Sequence, residues 1–202
     1  PLDPAYYLRR TRFWADRWRD CLAAGAGRID PDCVPLLPPE AELISHLGRL
    51  ALVGLNVLPD LRYPGKGAVS LVDGQLAEST YRDGRWLGFA EPVLQLDIDL
   101  GKHVLVTECR VGFLQQQSAW IFPPTGFQVA VATDAADYQT VIQTGCAVVS
   151  DDVSRRIELG GCITPVMTQY LRIDVLGLTA CPQWHMGAGE PPWIFIDEVI
   201  IK

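Results

Sequence analysis

Over residues 94–100 the chain alternates strictly, with Leu94, Leu96, Ile98 and Leu100 on one parity and Gln95, Asp97 and Asp99 on the other. Successive side chains of a strand point to opposite faces, so this is a β-strand with one face in a core and one in water. The same period of two, with β-branched residues between turn signals, recurs after Tyr63 over residues 104–113, 127–132, 138–143, 155–159 and 170–175. Residues 193–201 are apolar on both parities, which places them in a central strand covered on both faces. Many short strands joined by turns predict a mainly β fold over residues 61–202, a jelly-roll β-sandwich.

The first 60 residues follow a different period. Tyr7, Trp14, Trp18, Cys21 and Leu22 fall on one helical face, and Gly25 and Gly27 end it. Beyond the Pro-rich stretch 29–39, Glu40 and Glu42 suit a helix first turn, and Leu43, Leu47, Leu50, Gly54 and Leu58 mark a second apolar face. The expectation is an N-terminal helical hairpin over 1–60 ahead of the sandwich.

With 202 residues, 49% hydrophobic and 20% charged, the chain can bury one substantial core. A net charge of -7 repels polyanions, so nucleic acid and acidic membranes are not expected partners. Arg9, Arg10, Arg12, Arg17 and Arg19 are interrupted by Asp16 and Asp20 and read as a solvated helix face. No apolar run reaches the ~18–20 residues of a membrane-spanning helix. Six cysteines stand far apart without a C-x-x-C pair, and a Cys21–Cys33 bridge is conceivable. The three histidines, His46, His103 and His185, suggest no triad or metal site. Asp197-Glu198 is an adjacent pair of carboxylates, but neighbours on a regular strand point apart and cannot converge on one bond. No catalytic constellation is expected.

Several ordered motifs carry a family resemblance: YPGKGAVSLVDG (63–74), DGRWLGF (83–89), LDIDLGK (96–102), VGFLQQQSAWIFPP (111–124), FQVAVATDAADY (127–138) and the closing stretch 170–199. Together they resemble the galactose-binding-like domain of the coagulation factor type C, or discoidin, family. They are similar in particular to the version at the C-terminal end of bacterial family 20 glycoside hydrolases, the β-N-acetylhexosaminidases. That resemblance implies an accessory module beside an upstream catalytic domain, a galactose or N-acetylhexosamine glycan as partner, and export to the periplasm or cell surface.

It also implies a structural Ca²⁺ held by Asp73, Gln75, Thr80 and Glu198, which suits a carbonyl- and hydroxyl-rich loop after Asp73-Gly74. The same residues also read as an Asp-Gly turn and a buried acid bonded to backbone. For a sugar, whose C–H face stacks on aromatic rings, the candidates are Trp184 and Trp120, with His185, Arg85, Gln115 and Gln116 as polar handles. Trp86 and Trp193 read as core. Two functions stand side by side: a non-catalytic carbohydrate-binding module, in which Trp184→Ala abolishes binding, or a structural module that packs on a neighbouring domain.

Overall fold

A computed structural model describes residues 43–202. Seven strands form an antiparallel sheet: β1 (Leu52–Leu55), β2 (Leu87–Phe89), β3 (Val93–Gln115), β4 (Gly126–Ala132), β5 (Gln139–Gly145), β6 (Arg155–Leu176) and β7 (Ile194–Ile201). Their order is β2-β7-β3-β6-β4-β5, with β1 on β3 beside the main path. Three short 3₁₀ turns, Ala68–Val72, Tyr81–Asp83 and Gln117–Ala119, sit in the connections.

The sandwich is built on two long strands that pair along nearly their whole length. The first part of β3 (Val93 to Asp99) pairs with the end of β6 (Tyr170 to Leu176), and the last part of β3 with the start of β6. Register irregularities at Asp99/Val104 and Val106/Glu108 bend the pair in the middle. Residues of both halves then face one core: Leu94, Leu96 and Ile98 meet Val106, Val111 and Phe113, with Ile173, Val175 and Val199. The sequence places separate strands at 94–100 and 104–113, and again at 155–159 and 170–175. Gly101, at φ 73, bulges inside a continuous β3 instead of ending it.

β7 is buried at all eight positions and lies between β2 and β3, the central place its double-sided hydrophobicity demands. Its outer face rests on a second apolar cluster of Ala77, Trp86, Leu114, Ile121 and Phe195. Trp86 is core as expected, 1% exposed, and its indole N–H donates to the carbonyls of Glu78 and Thr80.

The second of the two expected helices is not formed. Residues 47–50 turn, with Leu50 at φ 66, and residues 52–55 are β1, whose Val53 and Leu55 pair with Ile98 and Leu96. The operative period here is two: Ala51, Val53, Leu55 and Val57 pack on the core, while Leu50, Leu52 and Leu58 are 78, 74 and 82% exposed. Apolar residues on both parities imitated a helical stripe. β1 thus lies within the residues 1–60 assigned to the hairpin, yet pairs with β3 of the sheet. The first expected helix, at Tyr7–Leu22, lies outside the described residues, as do Cys21 and Cys33. Among the described residues Cys109, Cys146, Cys162 and Cys181 are free thiols, and no helix is long and apolar enough to cross a membrane.

Candidate functional site: an aromatic groove at the sandwich rim

The closing strand carries a bulge that decides the role of its acids. Val111 pairs with Val199 and Phe113 with Ile196, so Gly112 alone stands opposite both Asp197 and Glu198. Ile196 and Val199 both enter the main core, so the two acids between them turn away from it together. This corrects the expectation from a regular strand that they point to opposite faces. Neither is a catalytic group, because both are 0% exposed and their oxygens are taken by donors. Asp197 accepts from the Ala77 N–H at 2.9 Å, the Glu198 N–H at 2.7 Å and Arg156 Nε and Nη2 at 2.5 and 3.2 Å. Glu198 accepts from the Gly74 N–H at 3.1 Å and pairs with His46 Nε2 at 2.9 Å. The two carboxyls thus pin the loop 73–77 to the sheet.

Burial pushes both carboxyls up, Asp197 against the pull of Arg156 and Glu198 against that of His46. A raised folded value favours the protonated form, so this contribution to stability is fully present below the ordinary carboxylate range and is lost as pH rises through the folded value. Wild type should therefore lose stability relative to Glu198→Gln as pH rises above the ordinary carboxylate range and through the raised value, followed by urea unfolding. A gap that stays constant or opens the other way would show that Glu198 is not raised.

The residues proposed for Ca²⁺ do not fit a hard cation. Asp73 accepts from Lys66 Nζ at 3.0 Å and the Gln75 N–H at 2.9 Å, and Glu198 is bonded to His46 and Gly74. Thr80 Oγ1 accepts the Arg82 N–H at 3.4 Å and caps the Tyr81–Asp83 turn. Each carboxylate oxygen of Asp73 and Glu198 therefore already faces a hydrogen-bond donor. Among the described residues no three His, Cys, Asp or Glu side chains converge. A resident ion at 100 times its Kd would add about 2.7 kcal/mol and shift the melting temperature by several degrees. Melting curves in calcium and in chelator are expected to coincide, and a separation of that size would restore the metal.

A groove lies above the loop that the two acids hold. Tyr63, Tyr81, Trp120 and Trp193 line a depression of about 290 Å³, with Ser118 at its edge. A second depression of about 300 Å³ shares Tyr63 and Tyr81 and adds Arg62 and Arg82 over a floor of Trp86. Tyr63 meets Tyr81 edge-on at 6.0 Å and Trp193 edge-on at 5.5 Å, so the aromatics brace one another. They also pack on the second apolar cluster, which makes the groove a rigid surface. The Arg62 guanidinium stacks on Trp193, 4.7 Å from the ring centre, while Asp60 holds it at 2.9 and 3.3 Å.

Of the expected ligand residues, only Trp120 lines this groove. It takes the left-handed conformation, φ 64 and ψ 24, and its ring covers Gly187, where a Cβ would collide with it. Gln116 acts at one remove, its Oε1 accepting the Tyr81 N–H at 3.3 Å. Arg85 braces the loop behind the groove by donating to the Leu76 carbonyl at 2.6 Å. His185 spends Nε2 on the Gln117 carbonyl at 2.8 Å and Nδ1 on the Gly187 N–H at 3.1 Å. Gln115 is buried, its Nε2 donating to the Val153 carbonyl at 3.3 Å. Trp184 is 45% exposed and packs edge-on against Phe122 and His185, outside the lining. Trp193, read as core, instead forms a wall of the groove. The sequence reading missed Tyr63, Tyr81, Arg62 and Arg82, although an Arg-Tyr pair before Pro64-Gly65 and a Tyr-Arg pair before Gly84 were visible in turns.

No family model matches the sequence, and no curated protein matches it. Among solved structures the chain is similar to chitosan-binding module 1 of a chitosanase/glucanase from Paenibacillus sp. IK-5. The identity is 13% and the TM-score 0.51, over 79% of this chain and 99% of the module. A selenomethionine-labelled point variant of that module aligns at TM-score 0.50 and 13% identity, over 77% and 96%. The likeness shows the fold alone, a β-sandwich like that of the module.

Proposed function

We propose that this domain is a non-catalytic carbohydrate-binding module that holds a glycan in the rim groove. The observation carrying the reading is the meeting of Tyr63, Tyr81, Trp120 and Trp193, from four separate segments, around one half-open depression. Their ring faces suit the C–H faces of sugars, and Ser118, Arg62 and Arg82 stand beside them to meet hydroxyls. The motif resemblance supports a place beside a glycoside hydrolase catalytic domain, of the β-N-acetylhexosaminidase type, working outside the cytoplasm. The Paenibacillus module of similar fold is named for chitosan, which adds glucosamine oligomers to the candidate ligands.

Calorimetric titration with galactose, N-acetylhexosamines and β-linked oligosaccharides tests the reading. Millimolar dissociation constants, about -4 kcal/mol, are expected for monosaccharides, with tighter binding as chains lengthen. Failure of every sugar would favour the second reading, a module that docks on a neighbouring domain. One observation speaks for that alternative: the loop between β6 and β7 presents Trp184 at 45% and Met186 at 85% exposure.

A further inference from the structure

We propose that the Arg82 side of the groove takes the carboxylate of an acidic sugar, so that the favoured ligand is a uronate-containing oligosaccharide. The proposal rests on the groove being the glycan site and names the chemistry of its ligand.

Arg62, Arg85, Arg110, Arg155, Arg156 and Arg172 each lie within 4.0 Å of a carboxylate. Among the described residues only Arg49 and Arg82 have no such partner. Arg49 lies beside Gly74, away from the groove lining. Arg82 stands in the groove wall of a chain whose net charge is -7, where an unpaired cation is not to be expected from composition. The nearest acid in sequence, Asp83, is committed elsewhere: it accepts the N–H groups of Glu78 and Arg85 at 2.6 and 2.7 Å and lies 3.6 Å from Arg85 Nη1.

Geometry adds a second donor. Arg82 Nε donates to the Tyr81 hydroxyl at 3.1 Å and its guanidinium lies 5.4 Å from the centre of the Tyr81 ring, so that the Tyr81 O–H proton and both Nη groups of Arg82 have no acceptor among the described residues. A planar guanidinium fork beside a hydroxyl donor matches a carboxylate, which accepts two parallel N–H bonds and one more. The opposite wall contributes no second free charge, since Asp60 neutralises Arg62. A single carboxylate is therefore balanced. The sugar ring bearing it would lie along Tyr81 and Tyr63, and the next ring would cross to Trp193 and Trp120 in the adjoining depression.

The test titrates the protein with trimers of galacturonate, mannuronate and glucuronate, with their carboxyl-reduced neutral counterparts, and with the cationic glucosamine trimer. At least one uronate should bind about tenfold or more tightly than its reduced counterpart, and the preference should weaken between about 50 and about 500 mM salt. Arg82→Gln should bring the ratio to about one. Arg155→Gln, the same charge change on a paired arginine outside the groove, should keep it. Equal or weaker binding of every uronate, or a preference that survives in Arg82→Gln, overturns the inference and leaves the groove reading intact. Binding of none of these trimers at millimolar concentration overturns both.

Discussion

Arg156→Leu is expected to lower stability by about 3–5 kcal/mol, because it strands a carboxylate that water cannot reach. Asp197 is 0% exposed, and among the described residues Arg156 supplies its only charged partner, through Nε at 2.5 Å and Nη2 at 3.2 Å. The Ala77 and Glu198 N–H groups remain, but neutral donors do not offset the desolvation of a full charge. Adding Asp197→Asn to Arg156→Leu should recover a substantial part of the loss, since the amide carries no charge into the interior. Gly112→Ala reaches the same site from the backbone: a Cβ there would collide with Asp197 Oδ1 and Arg156 Nη2, so the ion pair or the bulge must give way. Urea unfolding measures all three. A loss below about 1 kcal/mol in Arg156→Leu would mean that Asp197 is already neutral in the fold, and the pair would lose its structural role. Because Asp197 holds the Ala77 end of the loop leading to Tyr81, the same variant should also weaken any ligand in the groove.

Tyr81→Ala should weaken glycan binding by about tenfold or more, whereas Trp184→Ala should leave it within about threefold of wild type. Tyr81 is the one aromatic shared with Tyr63 by both depressions, and it carries the hydroxyl beside Arg82. Removing its ring opens the divide between the two and removes a stacking face together with a donor. Its position in a short, half-buried turn makes the substitution tolerable to the fold, which a melting curve on each variant checks. The reverse result, loss in Trp184→Ala with Tyr81→Ala unaffected, would move the site to the loop between β6 and β7. That is the site expected from Trp184 and His185 in the sequence.

The contrast between these two variants reflects what different signals in a chain encode. Alternation at 94–100 and the double-sided apolar run at 193–201 fixed a half-buried strand and a central one, because strand burial is written in neighbouring residues. Where both parities are apolar, as at residues 50–58, the same signal is ambiguous, and pairing with Leu96 and Ile98 resolved it into β1. The bulge at Asp197-Glu198 has no local marker on its own strand; its reason is Gly112, far away in sequence, which leaves room for the Asp197–Arg156 pair.

The groove follows the same rule. Trp120, expected as a ligand residue because it stands in a turn-rich segment, lines the groove, but Tyr63, Tyr81 and Trp193 acquire meaning only beside one another. Sequence by itself determined the β architecture and the central last strand, both of which depend on composition and short-range period. Only tertiary structure decided which aromatics form a surface, which arginines lack a carboxylate partner among the described residues, and that the adjacent acids are tethers. Those are properties of side chains brought together by the folding of two long paired strands, and no single segment contains the distances on which they depend.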